Sequence, residues 1–125
     1  MPAIATEWEL AVHRGPGWLL VKPCCPSEDL LDDPPLADQL WSLLERHFIY
    51  RLVLELDEVK IVNSHLIGQM LVLHRRIRDH GGLMRLCGLS SFNQKVLQMH
   101  GLIDRFPAYS DPIEAVMASR LPKPR

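Results

Sequence analysis

Residues 51–68 read RLVLELDEVKIVNSHLIG, and their order decides the fold. Leu52, Val53, Leu54 and Leu56 form a nearly unbroken apolar run, the pattern of a strand covered on both faces. Asp57-Glu58 close it, and a short apolar segment follows, Val59, Ile61 and Val62. A polar break, Asn63-Ser64-His65, then opens a new periodicity. Leu66, Ile67, Met70, Leu73 and Ile77 recur at three and four, which predicts a helix from about Ser64 to His80. A strand, a turn, a serine and a helix start in this order place a small hydroxyl at the positive end of a helix dipole. The remaining chain reads as the scaffold for that corner.

Toward the C-terminus, Gly81-Gly82 stop the helix. Leu83 to Cys87 is a third short apolar strand, closed by Gly88. Ser90 or Ser91 caps a helix through about His100, with Phe92, Val96, Leu97 and Met99 as its apolar contacts, and Gly101 ends it. Phe106 to Tyr109 reads as a short edge strand. Asp111 caps a last helix with Pro112 at its first position and Ile113, Val116 and Met117 as apolar residues.

Toward the N-terminus, Pro34-Pro35 introduce a helix over Leu36 to Tyr50, with Leu36, Leu40, Leu43, Leu44 and Phe48 (or His47) repeating on one side. Before it, Trp8–His13 and Trp18–Val21 flank the turn Arg14-Gly15-Pro16-Gly17 and predict a β-hairpin. Pro23 either ends the second strand or sits where a backbone donor can be spared. Cys24 to Pro35 reads as a loop. The sum is an α/β chain: a single domain over residues 1–118 with a mixed sheet of four to five strands, helices packed mainly on one face, and an N-terminal hairpin. Residues 119–125 are expected to be a disordered tail.

Hydrophobic residues make up 47% of the 125, enough for one sizeable core. Fourteen basic against fifteen acidic residues leave a net charge of −1, which argues against a general nucleic-acid binder or a polybasic membrane-surface protein. A local basic cluster remains on the second helix: His74, Arg75, Arg76, Arg78 and His80. It reads as a solvated face complementing the helix C-terminus, or as a surface for an acidic partner. The three cysteines, Cys24, Cys25 and Cys87, lack metal spacing and read as reduced thiols. No secretory signal and no eighteen-residue apolar window is seen, so a cytoplasmic protein without membrane insertion is expected.

The segment from Leu52 to Phe106 resembles a STAS domain, the module of bacterial anti-sigma factor antagonists. The likeness rests on Val62-Asn63-Ser64-His65-Leu66-Ile67-Gly68, on Leu86-Cys87-Gly88-Leu89, on Val96-Leu97 followed by His100-Gly101-Leu102, and on Phe106 with Ile113-Glu114-Ala115. It extends more weakly back to the hairpin and forward to Met117. The resemblance implies a non-catalytic regulator of transcription that binds an anti-sigma factor which is also a serine kinase. It implies Ser64 as the phospho-acceptor, whose modification breaks the complex. Asn63 stands where the family usually has Asp, and His65-Leu66 replace the usual Ser/Thr-Gly. The partner-binding surface implied is Asn63, Ser64, His65, Leu66, Ile67 and Met70.

Other readings stay open. Asn63 or Ser64 is also a good N-cap, a role that needs no partner. A STAS-like structural subunit of a transport or sensory complex, never phosphorylated, fits the altered motif. A small-molecule or enzymatic role through the histidines and cysteines has less to recommend it. His65, His74 and His80 are scattered, Asp57-Glu58 read as a solvated turn, and Cys87 reads as an inert buried thiol. No metal or other cofactor is expected, and the sequence leaves homodimerisation open.

Overall fold

The computed structural model describes residues 8–24 and 36–117. The hairpin is β1 (Glu9–Gly15) and β2 (Trp18–Cys24), antiparallel, with Gly15 opposite Trp18 across the turn. Then come α1 (Leu36–His47), β3 (Arg51–Glu55), α2 (Ser64–Asp79), β4 (Leu83–Cys87), α3 (Ser91–Met99), the two-residue β5 (Ala108–Tyr109) and α4 (Pro112–Met117). The five strands form one sheet whose spatial order equals their order in the chain. All pairs after the hairpin are parallel. Right-handed crossovers that advance always in one direction leave their helices on one face of the sheet.

Side-chain alternation sorts the two faces. Leu19, Val21, Leu52, Leu54, Met84 and Leu86 point to the main core, where they meet Leu40 and Leu44 of α1, Met70, Leu73 and Ile77 of α2, and Leu97 of α3. Trp18, Val53 and Cys87 point the other way and meet Ala115 of α4. This two-sided burial is why the third strand shows no polar alternation. Burying each of these large side chains is worth about 1.5–3 kcal/mol, so the five buried apolar residues of α2 anchor that helix firmly.

The structure shifts some expected boundaries. α1 ends at His47, because Phe48 takes a left-handed conformation (φ 56°) and its ring is 85% exposed instead of facing the core. The second strand runs through Pro23, which pairs with Leu10, and pairing with β3 covers only Leu19 to Val21, so the missing donor costs no bond there. The inner face of α3 is Asn93 and Leu97, whereas Phe92 and Met99 are exposed. In α4 only Ala115 is buried, and Ile113 and Met117 are exposed. Cys25 and the 119–125 tail lie outside the described residues.

Two glycines are demanded by close approach. A Cβ on Gly82 would overlap the Tyr50 carbonyl oxygen, and one on Gly88 (φ 74°) would overlap the Asp57 carboxylate. Both sit beside β4, where the chain must pass close to the β3 connections.

Candidate functional site

The candidate site is the passage from β3 into α2. Leu56 continues the sheet by donating to the Cys87 carbonyl at 2.9 Å, and Val59 turns back onto the Leu56 carbonyl at 3.1 Å. Val59 and Val62 are buried; Ile61 between them is 61% exposed. The loop is pinned from α3. Asn93, fully buried, accepts from the Val62 N–H at 2.9 Å and donates to the Val59 and Lys60 carbonyls, each at 3.2 Å. One amide thus satisfies three backbone groups that a loop would otherwise leave to water.

Asn63 follows in extended conformation (φ −90°, ψ 176°). Its Oδ1 accepts from the Leu66 N–H at 2.8 Å, and its carbonyl accepts from the Ile67 N–H at 3.0 Å. Asn63 is therefore the N-cap, and Ser64 is the first helical residue. Asn63, Ser64 and His65 are all exposed. The Ser64 hydroxyl makes no hydrogen bond among the described residues. The first turn of α2 holds no acidic residue, so the partial positive charge of its free N–H groups is not offset within the turn.

Leu66, Ile67 and Met70, named from the sequence as partner-binding residues, do not reach an outward surface. They are 2%, 6% and 1% exposed and lie in the main core. Helical spacing gives the reason: they share the inner stripe with Leu73 and Ile77. The outward ridge of α2 is instead His65, half-buried Gly68 and the 50% exposed Val72. Beyond its own helix turn, nothing lies within 4 Å of where a Gly68 Cβ would be, so the ridge is open there.

Two residues near the corner in sequence, read as part of an apolar segment and as a helix contact, lie at the surface instead. Ile61 and Phe92 are 61% and 60% exposed. Ile61 lies between the loop residues that Asn93 holds, and Phe92 precedes Asn93 in α3. The spacing of Asn93 and Leu97, four apart, would have turned Phe92 outward had Asn93 been taken as an inner residue.

The other candidate chemistry disperses. Among the described residues no three His, Cys, Asp or Glu side chains come together as a metal site. Asp57 and Glu58 are exposed, and Asp57 lies 3.8 Å from Lys22. Burial, with Glu55 and Asp57 nearby, pushes the Cys87 thiol up to about 12, so it is neutral and unreactive. Burial raises the half-buried Cys24 thiol as well, helped by Glu58. Among the described residues no helix is long and apolar enough to cross a membrane.

Comparison with known proteins bears on this architecture. The model of the STAS domain matches residues 29–115. An anti-sigma factor antagonist (STAS) domain protein from Planctomyces limnophilus superposes with a TM-score of 0.73 at 19% identity, covering 90% of this chain and 98% of that one. An anti-sigma factor antagonist from Mycobacterium paratuberculosis gives a TM-score of 0.73 at 17% identity, covering 96% and 100%. No curated protein matches in sequence. At such low identity the superpositions speak for the fold, and the family match speaks for kinship. It spans more than half of the chain, including β3, the Asn63–His65 corner and the strands that follow, and on that ground the chain belongs to the STAS domain family.

Proposed function

We propose that this chain is a non-catalytic regulatory module of the anti-sigma factor antagonist kind, and that Ser64 is its switch. The observation that carries this reading is the division of labour at the start of α2. Asn63 does the capping, so the exposed Ser64 hydroxyl is unengaged and open to modification.

The partner is an anti-sigma factor with serine kinase activity. Ser64 Oγ would attack the γ-phosphorus of ATP held by that kinase. An Oγ–P bond forms, the bond to ADP breaks, and the hydroxyl proton leaves to a base of the kinase. The product adds about −1.5 to −2 charges at neutral pH. At the N-terminus of a 16-residue helix with no acid in its first turn, this charge is tolerated by the fold. A protein packed on Ile61, Ser64, His65, Gly68 and Phe92 would have to desolvate it, which opposes binding. Modification that spares the fold and breaks the complex is a usable switch.

The test is incubation with ATP and the kinase-like anti-sigma factors of the same genome, followed by mass spectrometry and a pull-down. Phosphate on Ser64, loss of partner capture by Ser64→Asp, and retained capture by Ser64→Ala are expected. Phosphate on another residue, or none, would remove the switch.

A second reading has one observation in its favour. His65 is a bulky exposed neighbour where the family pattern has a small residue, and it narrows a kinase's approach to Ser64. In that reading the chain is a structural subunit of a transport or sensory complex. Capture of such an assembly at the same corner, with Ser64 unmodified, would decide for it.

A further inference from the structure

We propose that the groove between the C-terminal half of α2 and residues 104–109 binds the phosphoryl group of a small phosphorylated ligand. This site is separate from the Ser64 corner: Arg78 lies fourteen residues further along α2, about 21 Å at 1.5 Å per residue.

Two adjoining hollows, of ≈ 570 and ≈ 630 Å³, share His74, Arg78 and Arg105 as walls. Both are open to solvent, and Arg75, Arg78 and Arg105 are exposed around them. Arg75 and Arg78 stand three apart on the same side of α2, and Arg105 faces them from the chain after α3. None of the three guanidinium groups has a carboxylate within ion-pair distance among the described residues. Arg85 borders the second hollow, but its guanidinium is turned to the α4 face of the sheet. It is held in place by a 3.0 Å bond to the Ala115 carbonyl and by the rings of Trp18 and Tyr109, 5.5 and 5.9 Å away. The floor is His74, edge-on to the buried Phe106 ring at 5.1 Å.

Asp79 and Asp104 also line the hollows, so Arg75, Arg78 and Arg105 face two carboxylates and an excess of one positive charge remains. The α2 C-terminus adds partial negative charge at one end, but that effect fades within a turn. Arginine forks match phosphate oxygens two at a time, which singles out phosphate over a point-like anion. The state of His74 agrees. Burial, then Arg78 and Arg105, lower its affinity for a proton, so it faces the groove as a neutral imidazole able to donate one N–H. A bound dianion would reverse that electrostatic pressure.

The experiment uses the full chain with inorganic pyrophosphate as probe, read by calorimetry and by NMR titration of the His74 ring, at fixed ionic strength. Citrate serves as a carboxylate control of similar charge. Saturable pyrophosphate binding is expected, about tenfold tighter than citrate. So is an upward move of the His74 titration when pyrophosphate is present. The double variant Arg78→Gln/Arg105→Gln should lose at least about tenfold in affinity. It should also raise the His74 titration with no ligand added. Arg14→Gln/Arg46→Gln, which removes the same charge from exposed positions on β1 and α1, should bind as the parent does. Equal losses in both double variants, equal binding of citrate, or no saturable binding would each overturn the proposal.

Discussion

The starts of α2 and α3 are built alike and do different jobs. Each has a polar cap followed by an exposed serine: Asn63 then Ser64, and Ser90 then Ser91. Each cap accepts from the N–H three residues on, at 2.8 Å for Asn63 and 3.1 Å for Ser90. The difference lies one turn further in. At α2 the position three after the cap is Leu66, which enters the core. At α3 it is Asn93, which reaches across to hold the loop leading into α2. One helix start is a clamp, and the other is what the clamp presents. A serine at a helix entrance is therefore not diagnostic alone; its surroundings give it a role.

Asn93→Ala should break this relation most severely. It strands the Val62 N–H and the Val59 carbonyl, and a buried unsatisfied group costs about 1–3 kcal/mol. A total loss of about 3 kcal/mol in urea unfolding is expected, with fast hydrogen exchange at the Val62 amide. An unchanged Val62 amide would show that α3 does not hold the corner.

The two caps sharpen the comparison. Asn63→Ala and Ser90→Ala should each cost about 1 kcal/mol in urea unfolding. Only Ser90→Ala should also loosen the Val62 amide, because it frays the turn that carries Asn93. If both variants did so, or neither, the two helix starts would not differ in the way described.

Ser64→Asp should move stability the other way, upward by about 0.3–1 kcal/mol, since it places a carboxylate in a first turn that has none. Gly68→Ala should likewise stabilise by about 0.5–1 kcal/mol, as a helical glycine with open space around it. If the open ridge receives a partner, that same variant weakens capture although it folds better.

His74 offers a pH test with the smallest expected effect. Its proton affinity is lowered in the fold, so the unfolded chain binds the proton more readily. Stability from this group is present above about pH 6.5 and is lost as pH falls through the lower folded value. In His74→Gln the drop in stability between neutral and mildly acidic pH should be smaller; an equal drop would place the acid sensitivity elsewhere.

Much of the fold was legible because apolar periodicity reports burial directly. β4 (Leu83–Cys87) and the capped start of α4 at Asp111-Pro112 match their reading, and the α2 stripe from Leu66 to Ile77 does too. What periodicity could not show is which apolar residues are surplus to the core. Phe48, Ile61, Phe92 and Met99 look like core residues by type and lie at the surface. Asn93 is the opposite case, a polar residue inside, needed because the loop before α2 has backbone groups to satisfy. The same limit explains the site. Sequence order located the Asn63-Ser64-His65 corner, but Leu66, Ile67 and Met70 read both as the inner stripe of α2 and as partner-binding residues, and their burial leaves room only for the first.

Because each strand of the sheet lies beside the one synthesised just before it, no strand waits for a neighbour still to be made. The hairpin can form first from adjacent residues, and every later strand–helix unit adds to an edge already in place. A chain emerging from a ribosome thus zips up from the hairpin onward, keeping short the time during which an apolar strand such as Leu52–Leu56 stands bare.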